Sequence, residues 1–178
     1  MDDLLLDACV ALNLLASGID LGDLARACKV RFLMTSVAAS EILWLDPPEP
    51  GGARVELDMV SLAARGTIDL VTLGEDESEV FVSLARDIDD GEAATIAVAS
   101  HRGLAVATDD RRARHVATAL NPPVRLIHTT EVVKRWADQP GVDAQQAADA
   151  VQSIKVRASY VPARDDPHLS WWRMLSQP

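Results

Sequence analysis

"DIDDGEAATIAVASHRGLAVATDDRRAR", residues 87–114, places acids at both ends of an alanine-rich, nearly all-apolar segment. From about Gly91 to Arg102 it reads as a helix, "LAVATD" (104–109) as a strand, and "RRARHVATAL" (111–120) as a second helix. The strand is apolar without alternation, the pattern of a strand in a parallel sheet covered on both faces. Carboxylates resist losing their water, so their position at both ends of a buried element asks what holds them there.

The same alternation extends in both directions. Upstream, "LLLDA" (4–8) is a strand ending in an acid, and "VALNLLAS" (10–17) and "IDLGDLARACK" (19–29) have helical spacing. "VRFLMTS" (30–36) is a strand, and "VAASEILWL" (37–45) is a helix carrying Glu41, capped by Ser36 or Thr35. "DPPEPGG" (46–52) breaks it. A helix over "ARVELDMVSLAARG" (53–66), a strand over "TIDLVTL" (67–73) and a helix over "DESEVFVSLARD" (76–87) follow. Downstream come a strand at "VRLIHT" (124–129) and a helix at "TEVVKRWA" (130–137). The fold class predicted is α/β: a three-layer α/β/α sandwich with a central, mostly parallel sheet. Residues 1–137 form its core. Residues 138–178 are an appended helix, "AQQAADAVQSIKV" (144–156), and a tail without periodicity, in which at least one of Trp171 and Trp172 is expected to be buried.

A chain of 178 residues, 48% hydrophobic, supports one substantial core. Its formal charge of −10 argues against a broad basic surface that coats nucleic acid, though not against a local patch. No apolar run is long enough to cross a bilayer, and "MDDLLLDACVALNLL" carries acids where a secretory signal carries Lys or Arg, so a cytoplasmic protein without a membrane partner is expected. Cys9 and Cys28 lie in helical contexts without a CxxC pair and read as reduced thiols.

In open α/β sheets, ligands bind beyond the carboxyl ends of the strands. Asp7 ends the first strand and Asp109 and Asp110 end the strand of the opening stretch, while Glu41 and Glu92 lie early in helices that follow strands or loops at that edge. Singly, each has an ordinary reading as a cap, a helix-dipole partner or part of a solvated face. Together they repel unless protonated or bridged by a cation, and Mg²⁺ or Mn²⁺ is the natural bridge between hard carboxylate oxygens. His101, His115, His128 and His168 show no paired ligand spacing, and neither GxSxG nor a Walker loop occurs. Arg111, Arg112 and Arg114 have two readings, as holders of substrate phosphates or as a solvated helix face.

These segments resemble the PIN-domain nucleases, including VapC-type toxins of toxin–antitoxin modules, over roughly residues 3–136. "LLLDACVALNLL" is similar to the opening strand with its first acid, "TSVAASEIL" to the segment with the second, and "DDGEAATIAVASHRGLAVATDDRRAR" to a variant in which Gly-Glu-Ala replaces the usual Asp-Ala. The resemblance implies catalytic, metal-holding roles for Asp7, Glu41, Glu92 and one acid of the Asp109/Asp110 pair, with Asp110 favoured by its spacing from Glu92, and a ligand-orienting or capping role for Ser36. It implies an Mg²⁺- or Mn²⁺-dependent endoribonuclease, with RNA as substrate. An antitoxin protein and a second copy in a homodimer are the expected protein partners. An aspartate-nucleophile phosphatase would need an acid where Cys9 stands, and a receiver domain a lysine at a late strand end, unlike Lys29, Lys134 or Lys155. The remaining alternative is a non-catalytic PIN-like interaction module.

Overall fold

The computed structural model describes residues 2–49 and 51–177. Pro50, inside the loop expected at 46–52, lies outside the described residues. In chain order the elements are β1 (Asp2–Leu6), α1 (Ala8–Ala16), α2 (Leu21–Cys28), β2 (Val30–Thr35), α3 (Ser36–Glu41), β3 (Trp44–Leu45), β4 (Val55–Glu56), α4 (Met59–Ala64), β5 (Asp69–Val71), α5 (Glu75–Leu84), α6 (Asp90–Arg102), β6 (Ala105–Ala107), α7 (Arg111–Ala119), β7 (Leu126–Ile127), α8 (Thr129–Ala137), α9 (Ala144–Arg157) and α10 (Leu169–Leu175).

The main sheet has the order β5-β2-β1-β6-β7, with every neighbouring pair parallel. Its strands supply both faces. Leu4, Leu6, Phe32, Met34, Ala105 and Ala107 join one buried cluster with α1, α2, α8, α9 and Trp172, whereas Leu5, Leu33 and Val106 join another with α6 and α7. This is the α/β/α sandwich, and it explains why the strands lack alternation: both faces are covered. Helix α6 is buried at Gly91 and from Ala93 to Ala99, with Glu92 partly exposed between them. Small alanine side chains let it lie close to the sheet, and Gly103 ends it in the left-handed conformation (φ 67°) that glycine adopts without steric cost.

Two local expectations change. Helix α3 ends at Glu41, and residues 53–66 are not one helix: Trp44 and Leu45 pair antiparallel with Glu56 and Val55 in a small hairpin, and α4 begins only at Met59 behind an Asp58 cap. The tail forms α10, with Trp172 only 3% exposed and packed edge-on against Tyr160. No single helix among the described residues is long and apolar enough to cross a membrane; α1 and α2 reach that composition only as a pair bent by 112°.

From β1 the chain steps outward to β2 and β5 on one side, and β6 and β7 fill the other. The order therefore reverses between β1 and β6, and the crevice at their carboxyl ends is where such a sheet binds ligands. Asp7 follows β1, and Asp109 and Asp110 follow β6.

Candidate metal centre

Asp7 is 3% exposed. It caps α1, with Oδ1 accepting from the Ala8 N–H at 2.7 Å and Oδ2 from the Thr108 hydroxyl at 2.8 Å and the Cys9 thiol at 3.1 Å. The Thr108 oxygen in turn accepts the Asp110 N–H at 3.3 Å, so one hydroxyl at the end of β6 ties the acids of two neighbouring strands together. Asp110 caps α7, accepting from the N–H groups of Arg112 and Ala113 through Oδ1.

A second bridge joins the other two acids. Glu41, at the end of α3, accepts the Gly91 N–H at 2.8 Å, and Gly91 immediately precedes Glu92 in the first turn of α6. A Cβ at residue 91 would lie 2.6 Å from Glu41 Cδ, so only glycine admits this approach. Gly91→Ala is therefore expected to fold with unchanged or slightly raised stability, since alanine favours a helix and the Glu41 carboxylate can swing aside. If Glu41 holds a cation, the variant is expected to lose at least about tenfold in divalent-metal affinity by displacing that carboxylate. Metal titration alongside a thermal melt checks both; wild-type metal affinity in this variant would remove the role given to the contact.

The electrostatics show that the four acids share one field. Burial, then the charges of Asp110 and Asp7, push the Glu92 carboxyl up to about 7. Desolvation raises Glu41 against the pull of the Gly91 N–H, with Asp7, Asp89 and Asp90 adding to the rise. Burial also raises Asp7 against three hydrogen bonds, with Asp110 contributing. Among the described residues no Lys, Arg or His forms an ion pair with any of the four. Carboxylates raised by burial and by the charges of Asp7 and Asp110 are the donor type that a hard divalent cation takes, whereas the side chains whose ligand atoms lie within 4.8 Å of one another are Asp109, His128 and Asp166.

Asp109, Arg114 and Ser36 have partners of their own. Asp109 takes hydrogen bonds from the Thr129 hydroxyl (2.6 Å) and N–H (3.1 Å), the Tyr160 hydroxyl (3.1 Å) and Asn13 Nδ2 (3.4 Å). With His128 and the buried Asp166 it brings ligand-type atoms within 4.8 Å of one another. Asp166 accepts from the Thr130 hydroxyl and the His168 N–H. With that many donors, these oxygens are satisfied as a hydrogen-bonded joint that fastens the C-terminal segment to β7, α8 and α1. Arg111 and Arg112 are exposed in the first turn of α7. Arg114 donates to the Thr108 carbonyl at 2.8 Å, closing the end of β6. Ser36 donates to the Val71 carbonyl at 3.4 Å, and the cap of α3 is Thr35.

A family model described as a PIN domain (DUF3368) matches residues 21–161. The chain belongs to the PIN-domain family. No curated protein and no solved structure matches it. The PIN-domain match begins at Leu21, so Asp7 stands before it; the pairing of β1 with β2 and β6 is what brings this acid to the others. Thr108 and Gly91 are the residues of this PIN domain that sequence reasoning missed.

Proposed function

We infer that the protein is a metal-dependent nuclease that hydrolyses RNA phosphodiester bonds, with Asp7, Glu41, Glu92 and Asp110 holding Mg²⁺ or Mn²⁺. The observation that carries this reading is the set of carboxylates without ion-pair partners at the β1/β6 crevice, with Asp7, Glu41 and Glu92 raised by burial and by the charges of Asp7 and Asp110. PIN domains are generally metal-dependent nucleases, which agrees with it. Asp7, Glu41, Glu92 and Asp110 would hold the cation, which would neutralise charge on the phosphate and activate a water.

The chain's own contribution is preorganisation. Thr108 and the Ala8 N–H fix Asp7, the Gly91 N–H fixes Glu41, and the buried helix α6 holds Glu92 on a rigid element rather than a loop. Asp110 is fixed through one oxygen, Oδ1, by the start of α7. The VapC-type toxin role, with Gly-Glu-Ala at the third position, an antitoxin partner and a homodimeric state, extends the same reading. Purified protein is expected to cleave single-stranded RNA in Mn²⁺ or Mg²⁺ and to lose that activity in EDTA. Equal cleavage in EDTA would overturn the reading.

A further inference from the structure

A groove of about 510 Å³ leads away from the acids, lined by Cys9 and Glu41 at one end and by Trp44, Asp46, Arg54 and Arg157 beyond. Trp44, at the start of the β3–β4 hairpin, is 51% exposed. The Arg54 guanidinium stands 5.8 Å above its ring centroid and pairs with Asp46 at 2.9 Å. Arg157, in the last turn of α9, donates to the main-chain carbonyls of Asp46 (3.3 Å) and Ala16 (3.4 Å). Among the described residues no carboxylate forms an ion pair with it, so its guanidinium is free to meet an anion in a groove whose other charged side chains are the Arg54–Asp46 pair and Glu41.

We propose that this groove is the track of the single-stranded RNA next to the scissile phosphate, with a nucleobase stacked on Trp44 and a neighbouring phosphate held by Arg157. The inference rests on the nuclease reading and names the path by which substrate reaches it. An indole face accepts any base, because every base has a π-face, and a guanidinium grips phosphate oxygens through paired N–H donors. Both groups lie in one groove with Glu41, so a strand lying there leads a phosphodiester to the acids. The apolar Leu12, Ile42 and Leu43 beside the exposed ring are interrupted by Arg54, Asp46, Arg157 and Glu41, and those charges favour a charged strand over an apolar protein face.

The test is a fluorescence titration with a single-stranded oligoribonucleotide carrying 2-aminopurine, in Ca²⁺, with the Mn²⁺-induced shift in thermal midpoint read in parallel. Trp44→Ala is expected to weaken binding about tenfold and to abolish base quenching, with Trp44→Phe restoring most of the affinity. Arg157→Gln is expected to weaken binding and lower the salt dependence by roughly one phosphate contact. All three variants are expected to keep the wild-type Mn²⁺ shift. Wild-type protein that binds no RNA, or Trp44→Ala and Arg157→Gln variants that bind as tightly as wild type, overturns the groove. Dimer dissociation in Trp44→Ala with unchanged RNA binding overturns it in favour of a protein interface. Loss of quenching and affinity in the variants, in a protein whose midpoint ignores Mn²⁺, supports the groove and overturns the metal-nuclease reading instead.

Discussion

Asp7→Asn is expected to lower RNA cleavage about a thousandfold while leaving the metal-free protein as stable as wild type or more so. The two effects have one cause. Asp7 is buried, and loss of water raises its pKa despite three donors, so its charge is held at a cost to folding. Asparagine keeps the shape, still accepts the Ala8 N–H, and remains a good cap for α1. What it removes is a charge facing Asp110 and Glu92, and with it the several kcal/mol that a catalytic cation contributes to phosphoryl chemistry. A structural Asp7 predicts the opposite ordering, a destabilised protein with residual activity in proportion to its folded fraction. Melts in EDTA together with cleavage rates separate the two.

Glu92 gives the second large effect, through pH. Its folded pKa of about 7 lies above the ordinary 4.5, so the folded state binds a proton more tightly than the unfolded chain. The sign follows: without metal, the stability linked to Glu92 is fully present below about 4.5, falls as pH rises through about 7, and is level above that. The full shift corresponds to about 3 kcal/mol, and solvent screening of a half-exposed side chain reduces this to about 1–2 kcal/mol. Glu92→Gln is therefore expected to gain about 3 to 6 °C in midpoint relative to wild type between about pH 5 and about pH 8 in EDTA. In wild type, Mn²⁺ must displace that proton below about pH 7, so affinity is expected to fall by up to about tenfold per pH unit there. A pH-independent difference between the two proteins would contradict the electrostatics assigned to Glu92.

How much of this was legible beforehand depends on how local each signal was. The segment from α6 to α7 read correctly because each boundary has its own cause: a glycine ends α6, and Asp110 starts α7. The β3–β4 hairpin did not, because strands of two residues have no period to detect, and Val55 and Glu56 are defined by their partners rather than by their neighbours. Helix α10 was missed for a similar reason, since seven residues around two tryptophans carry little periodicity. At the site, acids after strands were visible as types and positions. Thr108 and Gly91 were not, because their roles are hydrogen bonds to residues 101 and 50 positions away. Spacing from Glu92 favoured Asp110 over its neighbour Asp109 without showing where either side chain turns; Asp109 turns to Thr129 and Tyr160, and Asp110 caps α7 near Asp7 and Glu92.

The central claim is that these four carboxylates hold a divalent cation, and thermal melts of wild type and Asp7→Asn in EDTA and in Mn²⁺ test it most directly. Cation at ~100 times its dissociation constant stabilises a fold by roughly 2.7 kcal/mol. For a chain of this length that raises the wild-type midpoint by about 5 to 10 °C. The account predicts that rise in wild type and its near-complete loss in Asp7→Asn. An equal Mn²⁺ response in the two proteins, or none in wild type, would contradict it.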